Sequence, residues 1–483
     1  MGRTLASQSP IARLPSRLNS PRNTRRTHSI ILLGLDVVVI FGSFNALQWL
    51  RGVLPWGEWV VGPLVLPALL SIGAIYLIDG YRSRTEMMGA DYTSQHFVAM
   101  SVAALITLLM TFVFNTDGTP LERSRGVIAI SFLTIAIFTL SYRRSMHRWS
   151  RQGRSERLIL FIGDRAACHS FRDVCEANAM HQQIICAVTG ELTEPPIQLG
   201  SEDSVKNYRD IIKDIRSGKL SAEAIVIKES SHSIEDSLAD DLTELYFQGV
   251  PTFTLELFFE TYWRKIPLYR INHTWLFQEG FEIARTPVFA RTKRVVDIVL
   301  SMAGLVVATP LLILAAIAIK LSDGGPVLFR QNRVGRNREP FSILKLRSMK
   351  TTPAVAAVGD ARYTQEDDPR ITNIGSLLRK TRLDEVPQLW NVIKGEMSLI
   401  GPRAEWDELV VDYQAQIPCY HFRHLVRPGV TGWAQINYPY GASVEDTLRK
   451  LEYDLYYIRH FSFVMDAAIV LRTIHLMLFG KGR

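Results

Sequence analysis

Two adjacent carboxylates, Asp384 and Glu385, are the residues of this sequence best suited to chemistry. The basic residues close to them in sequence are Arg379, Lys380, Arg382 and Arg403. A carboxylate at a helix N-terminus is held ionised by the helix dipole and free N–H groups, and nearby arginines lower its pKa further. The pair could therefore provide a nucleophile or a metal ligand. The ordinary structural alternative is that Asp384 is only a helix N-cap and Glu385 only an acidic residue of the first helical turn.

The local pattern predicts a short amphipathic helix with Asp384 at its N-cap and Pro387 at the third helical position. A proline is tolerated there because first-turn N–H groups have no helical partner. Adjacent helical residues point about 100° apart. We therefore expect the two carboxylates to have different roles rather than to share a proton.

Cationic side chains that could bind phosphate groups occur in the same part of the chain. The candidates are Lys345, Arg347, Arg370, Arg379, Arg403 and Arg427. A guanidinium group matches phosphate oxygens in shape, and transfer of a phosphoryl group between anions requires such charge neutralisation. The glycine-containing turn after Arg427 could bind a diphosphate or be purely structural, and Trp433 within it could pack or stack.

The composition indicates a membrane protein with anionic partners. The chain has 483 residues, 47% of them hydrophobic, with a formal net charge of +8. Charge alone does not choose among phosphates, anionic lipid and nucleic acid. The four cysteines form no Cys-x-x-Cys pair, so we expect buried free thiols.

Four apolar segments predict a bundle of four transmembrane helices within residues 29–145. The segments are 30–49, 59–78, 97–114 and 127–140. Arginines are concentrated in residues 1–28, which we interpret as a disordered basic tail, and after the fourth segment, so both ends are expected in the cytoplasm. Asp36, inside the first segment, could mark a functional site or pair within the bundle.

Residues 156–281 predict a small α/β domain with a parallel sheet. Apolar runs at 158–162, 184–188 and 224–227 read as strands separated by helical segments. The turn after the first run has the single glycine Gly163, so the dinucleotide fingerprint is missing. A degenerate, Rossmann-like domain with a structural or regulatory role is favoured over a working nucleotide site.

A long apolar segment, 295–320, predicts a re-entrant membrane helix. Basic residues flank both ends, which favours the cytoplasm for both, and Thr309 and Pro310 at its middle indicate a bend. A kinked helix that crosses the membrane completely is the alternative.

Five sequence blocks occur in an order that resembles the bacterial sugar transferases, which are monotopic polyprenol-phosphate phosphoglycosyl transferases. The blocks are KRVVD from Lys293, GPVLFRQNRVG from Gly325, FSILKLRSM from Phe341, the long block from Asp368 to Arg403, and RPGVTGWAQIN from Arg427. The resemblance implies an α-rich catalytic domain over residues 291–483. The preceding bundle and α/β domain are similar to those of the large members of this family.

The resemblance implies transfer of a sugar 1-phosphate from a UDP-sugar to a polyprenyl phosphate, with release of UMP, as the first step of exopolysaccharide or related glycan assembly. Asp384 would be the nucleophile that carries the covalent phosphosugar, and Glu385 would assist; both would bind Mg²⁺. Thr309 and Pro310 would form the re-entrant turn. The implied location is the cytoplasmic face of the bacterial inner membrane.

The implied partners are a UDP-sugar, polyprenyl phosphate, membrane lipid and other polysaccharide-assembly proteins; a homodimer is plausible and no nucleic acid is expected. Departures from the family pattern include Arg338 in place of a glycine, Arg382 in place of a small residue and Ala404 in place of a proline. Two alternatives remain open: a nucleotide-sugar dehydratase or epimerase, and a non-catalytic assembly scaffold. The apolar segment 464–479 either lies on the membrane surface or covers the domain.

Overall fold

The computed structural model describes most of the chain. The described residues are 21–82, 85, 87–113, 125–151, 157–178, 180, 182–188, 206–217, 219–228, 236–268, 287–350, 370–438, 441 and 443–479. Residues 1–20 of the predicted disordered tail therefore lie outside the described residues, whereas residues 21–28 of it belong to a helix that begins at Pro21, contrary to that prediction. The chain divides into two compact units. The first comprises Met1–Val38, Tyr81–Arg84 and Ser141–Leu255. The second comprises Val39–Gly80, Thr85–Leu140 and Glu256–Arg483.

Four N-terminal helices correspond to the four predicted apolar segments. They are α1 (Pro21–Leu50), α2 (Val65–Leu77), α3 (Ala90–Val113) and α4 (Arg125–Arg151). Three of them, and a later helix, are long and apolar enough to cross a membrane, whereas α2 with its preceding 3₁₀ turn is shorter. The second segment begins late because Pro63, which lacks an N–H group, fits only in the first turn of a helix.

Asp36 on α1 is completely buried and pairs within its own unit. Arg143 donates to it from two nitrogens, Nη1 to Oδ1 at 2.7 Å and Nη2 to Oδ2 at 2.5 Å. The hydroxyl groups of Tyr81 and Tyr142 donate to the same two oxygens. Of the two interpretations of Asp36, the structure supports pairing inside the helical bundle.

The α/β region contains a five-stranded sheet in the order β3-β2-β1-β4-β5, and every neighbouring pair is parallel. The strands are β1 (Arg157–Ile162), β2 (Gln183–Val188), β3 (Lys206–Asn207), β4 (Ser221–Ile227) and β5 (Thr252–Thr254). The three predicted strands are confirmed as β1, β2 and β4. The other two are only two or three residues long and carry no long apolar run.

Helices α5 to α8 belong to the same stretch of chain. They are α5 (Arg165–Ala177), α6 (Tyr208–Arg216), α7 (Asp236–Phe247) and α8 (Leu255–Tyr262). The turn between β1 and α5 is occupied by the protein itself: Asp164 accepts from the Ala167 N–H at 2.7 Å and pairs with Lys228. A Cβ added at Gly163 would lie 2.8 Å from Lys228 Cβ. An ion pair of the protein therefore lies at the position where doubly wound sheets usually bind ligands.

The cysteines differ from expectation. Cys168 on α5 and Cys186 on β2 are joined as a disulfide, with their Cα atoms 6.1 Å apart, so the prediction of free thiols is wrong for this pair. Packing of the helix on the sheet brings them together, which residue spacing could not reveal. Cys175 and Cys419 are free. Burial raises the pKa of Cys175 to about 12.

The C-terminal region is built around the long helix α9 (Pro287–Asp323), which continues through Pro310 as one element. It is followed by an antiparallel hairpin and by helices and short strands that pack together. These elements are β6 (Leu328–Val334), β7 (Pro340–Leu346), α10 (Asn373–Lys380), α11 (Gln388–Lys394), β8 (Ser398–Ile400), α12 (Asp407–Gln416), β9 (Gly429–Thr431), α13 (Trp433–Asn437), α14 (Val444–Arg459) and α15 (Phe463–Phe479).

Both halves of α9 contact this C-terminal region. In the first half, a Cβ added at Gly304 would lie 3.2 Å from Leu389 Cδ1 on α11. In the second half, Ala315 and Ile319 share a buried cluster with Leu346 of β7 and with α10. The apolar side chains in the middle of α9 are instead exposed.

Helix α15 packs on α13 and β9, and also on α2 and α3 of the same unit. Its residues Ile469 and Leu471 are buried, whereas Met477 and Leu478 are exposed. The helix therefore covers the C-terminal region, which was one of the two predicted alternatives. The membrane-surface alternative stays a prediction.

Candidate active site

Asp384 and Glu385 lie in a single 3₁₀ turn, Leu383–Glu385, and not in the helix that follows. Arg382 before them adopts the left-handed conformation at φ 58°, and α11 starts only at Gln388, with Pro387 as its N-cap. The prediction that Asp384 is the N-cap of the helix is therefore wrong. The physical reason is that Pro387 has no N–H group to donate, so the 3₁₀ turn ends before it and α11 begins after it.

Glu385 is surrounded by cations. Its Oε1 lies 2.9 Å from Lys345 Nζ and 3.3 Å from Arg403 Nη2, and its Oε2 lies 3.7 Å from Arg382 Nη1. Burial opposes ionisation of Glu385, but Lys345 and Arg403 outweigh it and hold the pKa of this carboxyl well below its ordinary value. Glu385 is therefore a permanent anion that fixes the positions of Lys345 and Arg403.

Asp384 has the opposite character. Its exposed fraction is 7%, and within the described residues its Oδ1 atom has no hydrogen-bond partner. Burial, with the charge of Glu385, raises the pKa of Asp384, while Lys345 and Arg379 act against that rise. A buried carboxylate oxygen without a partner is unusual and costs stability. Within the described residues it is the buried carboxylate oxygen of the pair that lacks a hydrogen-bond partner.

A pocket adjoins this pair. Its lining residues are Arg333, Ile343, Lys345, Gln388, Met397, Arg403, Ala404 and Gly429. They come from the hairpin, from α11, from the residue before β8, from the turn after β8 and from β9, so several separate segments build one basic pocket. Arg333, Lys345 and Arg403 give its lining three cationic side chains.

Comparison with known proteins defines the family. The sequence matches the family model described as bacterial sugar transferase over residues 288–480. It is 33% identical over 430 residues to the UDP-glucose:undecaprenyl-phosphate glucose-1-phosphate transferase of Escherichia coli (strain K12), which covers 85% of this chain and 88% of that protein. The chain belongs to the bacterial sugar transferase family. The resemblance drawn from its motifs is confirmed, and we classify the chain as a phosphoglycosyl transferase.

Two other relatives show how the similarity is distributed. The UDP-N-acetylgalactosamine-undecaprenyl-phosphate N-acetylgalactosaminephosphotransferase of Aeromonas hydrophila is 40% identical over 252 residues, 51% of this chain and 58% of that protein. The exopolysaccharide production protein PSS of Rhizobium leguminosarum bv. phaseoli is 41% identical over 196 residues, 39% of this chain and 97% of that protein. Nearly all of that protein is thus matched by two fifths of this one.

The predicted phosphate-binding residues of this transferase do not all come together. Lys345 and Arg403 contact Glu385, and Arg379 lies close enough to act on the charge of Asp384. Arg427 instead donates from Nε to the Gly395 carbonyl at 2.9 Å, at the other end of α11. Arg427 therefore stabilises the backbone at the end of α11, which is a structural role.

The other two predicted cations lie at the edges of the site. Arg347 is buried beside Gly325, and its backbone N–H donates to the Val327 carbonyl at 2.9 Å. The Arg370 carbonyl accepts from the Lys350 N–H at 2.8 Å. The backbone of both residues holds neighbouring segments together, and their roles toward phosphate stay predictions.

Sequence reasoning missed several residues of the site. Arg333 and Gln388 line the pocket, and Asn391, completely buried on α11, accepts from the Leu344 N–H and donates to the Ser342 carbonyl. Asn391 thereby fixes the strand that carries Lys345. Side chains two positions apart on a strand point to the same face of the sheet. This alternation could have predicted that Ile343 lines the same pocket as Lys345, as it does.

The site can offer two carboxylates to a metal ion. Among the described residues, no group of three or more His, Cys, Asp or Glu side chains is placed to hold one. Mg²⁺ in phosphate-transfer sites usually takes one or two carboxylates together with substrate phosphates. Asp384 Oδ1 fits that shared arrangement, whereas Glu385 is already engaged by cations.

Proposed function

We propose that this transferase moves a sugar 1-phosphate from a UDP-sugar to undecaprenyl phosphate and releases UMP. The observation that carries the proposal is the contrast within the acidic pair: Asp384 Oδ1 is buried without a partner, while Glu385 is held by Lys345 and Arg403. The first feature suits a nucleophile, and the second suits its support. The substrates that the names of two relatives state, UDP-sugar and undecaprenyl phosphate, agree with this assignment.

In the first step, Asp384 Oδ1 attacks the phosphorus atom that bears the sugar. A bond forms between that oxygen and phosphorus, the bond to the bridging oxygen breaks, and UMP leaves with the bridging oxygen. Lys345 and Arg403 neutralise phosphate oxygens during the attack, because they are already held at the site by Glu385. The product is a phosphosugar attached to Asp384.

In the second step, a phosphate oxygen of undecaprenyl phosphate attacks the phosphorus of the attached phosphosugar. A diphosphate bond forms, and Asp384 is released as a carboxylate. Asp384 would hold Mg²⁺ together with substrate phosphates, and the ion would neutralise diphosphate charge when bound. The transferred group thereby leaves the water-soluble donor and becomes attached to a lipid.

We also propose that α9 is re-entrant and that the site faces the cytoplasm. Both halves of α9 contact the same C-terminal region, and basic residues flank both ends. A helix that crossed the membrane completely would place its two ends on opposite sides, away from a shared domain. Exposed Val306 and Val307 at the middle would then lie deepest in lipid, near the proposed turn at Thr309 and Pro310.

The proposed step begins the assembly of an exopolysaccharide or related glycan, in agreement with the name of the Rhizobium relative. A dehydratase or epimerase role would need a nucleotide site in the α/β domain, where the turn after β1 has the single glycine Gly163 and Asp164 pairs with Lys228. We interpret that domain as a Rossmann-like domain with a structural or regulatory role.

The test is direct. The purified full-length chain is incubated with undecaprenyl phosphate, Mg²⁺ and a panel of UDP-glucose, UDP-galactose and UDP-N-acetylgalactosamine, and the nucleotide product is identified. We expect UMP with at least one donor, in an amount equal to the sugar-lipid formed. Release of UDP would contradict the proposal.

Covalent attachment is tested separately, without the acceptor lipid. A donor labelled in the sugar should label the protein at Asp384, as located by mass spectrometry after digestion. Asp384→Asn should abolish the label, whereas Glu408→Gln, a control at an exposed carboxylate on α12, should retain it. Labelling at any other residue would reject Asp384 as the nucleophile.

A further inference from the structure

A single carboxylate, Asp79, joins the end of α2 to the C-terminal region within one unit of the chain. Its Oδ1 lies 2.5 Å from Arg264 Nη2, and its Oδ2 lies 2.8 Å from Arg472 Nη2. Arg264 follows α8, and Arg472 lies in the middle of α15. Asp79 therefore binds Arg264, which is 185 positions away in sequence, and Arg472, which is 393 positions away.

Both arginines also contact one aromatic ring. The guanidinium carbons of Arg264 and Arg472 lie 5.8 and 5.2 Å from the ring centroid of Trp433. Trp433 is buried and donates from Nε1 to the Arg264 carbonyl at 3.0 Å. Its ring is thus used for packing and is not open to a uracil base. We call Asp79, Arg264, Trp433 and Arg472 the Asp79 cluster.

The backbone of the Asp79 cluster is strained. Asp79 and Arg264 have φ angles of 62° and 53°, in the left-handed region that non-glycine residues rarely adopt. Such conformations persist where the surroundings hold them, and they are concentrated at functional positions. Arg382, which precedes the catalytic pair, shares this feature at φ 58°.

A short series of contacts connects the cluster to the catalytic pair. Trp433 begins α13 directly after β9, which pairs with β8. The Gly401 N–H donates to the Thr431 carbonyl at 2.9 Å, and the Gly429 N–H donates to the Pro402 carbonyl at 2.8 Å. These bonds hold the turn that carries Arg403, whose side chain contacts Glu385.

We propose that the Asp79 cluster positions Arg403 for the transfer reaction, so that the end of α2 at Asp79 tunes the active site. Asp79 is a positioning residue, because it touches neither the acidic pair nor its pocket. The activity measurement rests on the proposed function. Amide exchange tests the same coupling without that assumption.

The variant Asp79→Asn isolates the charge. Asparagine adopts the left-handed conformation as readily as aspartate and keeps the side-chain shape, but it cannot neutralise two guanidinium groups. The matched control is Glu58→Gln, which makes the same change at an exposed carboxylate in the loop that precedes α2. Full-length wild type and both variants are compared in lipid nanodiscs for steady-state UMP release and for hydrogen exchange.

We expect Asp79→Asn to lower kcat by between about twofold and 30-fold, the range of typical coupling between distant sites, with a smaller change in KM for the UDP-sugar. Exchange should become faster at the amides of Ser398, Gly401 and Gly429, which bond β8 to β9 and the turns beside them. Glu58→Gln should change neither quantity. The double variant Asp79→Asn with Arg472→Gln should be no worse than the worse single variant.

Several outcomes would overturn the proposal. One is an Asp79→Asn protein with wild-type kcat and wild-type exchange at the three amides. Another is a uniform increase of exchange throughout the unit, which would indicate lower overall stability. Failure of both Asp79→Asn and Asp79→Gly to accumulate in membranes would assign Asp79 to assembly. If wild type releases no UMP with any donor, the proposed function fails, and the exchange comparison still decides the coupling.

Discussion

Asp36 and Asp384 are both buried aspartates, yet their oxygens are used in opposite ways. Both Asp36 oxygens accept hydrogen bonds, from Arg143, Tyr81 and Tyr142. Asp384 is almost as buried, but within the described residues its Oδ1 has no partner. Burial alone therefore does not distinguish the paired Asp36 from Asp384, the proposed nucleophile; the oxygen without a partner does.

The unpartnered oxygen of Asp384 lowers the free energy of unfolding. An unsatisfied buried polar group typically costs about 1–3 kcal/mol, whereas a buried charge with complete partners avoids that penalty. Asp36 joins α1 to the end of α4 and so stabilises its unit. Asp384 gives up hydrogen bonding that a substrate phosphorus or a metal ion would replace during the reaction.

The largest expected effect is that of Asp384→Asn on turnover. Removal of a covalent nucleophile should lower the rate of UMP release by about 10⁴-fold or more. Because the amide is neutral, the thermal stability of the protein should stay the same or rise. Both quantities are measured on the same purified sample. Retention of more than a tenth of the activity would remove the distinction between the two aspartates.

The next effect concerns stability. Asp36→Asn leaves Arg143 buried without its anion, and breaking a buried ion pair costs about 3–5 kcal/mol. The expected result is a lower midpoint of thermal unfolding in detergent, while UMP release per folded molecule stays near the wild-type value. The double variant Asp36→Leu with Arg143→Met should recover much of the loss. Normal stability in Asp36→Asn would show that the pair is dispensable.

How much of this the sequence could predict differs between the two aspartates. The apolar segments and the acidic pair among cations were visible as patterns, and so were strands β1, β2 and β4. The partners of Asp36 were not visible, because Arg143 lies 107 positions away. The left-handed Arg382, which separates α10 from the turn that carries the acidic pair, depends on packing that no local propensity describes.

A third comparison tests the cations around the pair. Lys345→Met should lower UMP release by about 10²-fold to 10³-fold, the usual loss when one preorganised group that stabilises transition-state charge is removed. Lys350→Met, at an exposed lysine just beyond the same hairpin, is the control and should be nearly neutral. Equal effects of the two changes would indicate a general loss of positive charge rather than a specific contact with Glu385.

The smallest expected effect is at Asp164, a third aspartate with complete partners. Its side chain is 51% exposed and pairs with Lys228, and such an ion pair contributes about 0–1 kcal/mol. An asparagine at this position would still cap α5, because asparagine and aspartate are equally good N-caps. Asp164→Asn therefore removes only the ion pair, and UMP release should not change.

That result would extend the comparison from two aspartates to three, since Asp164, like Asp36, has partners within its own unit. A loss of activity greater than tenfold in Asp164→Asn would have another meaning. It would show that the ion pair beside Gly163 acts on the reaction, and the α/β domain would then be regulatory rather than structural. Unfolding temperature separates the two cases, because a regulatory effect changes turnover while the folded domain persists.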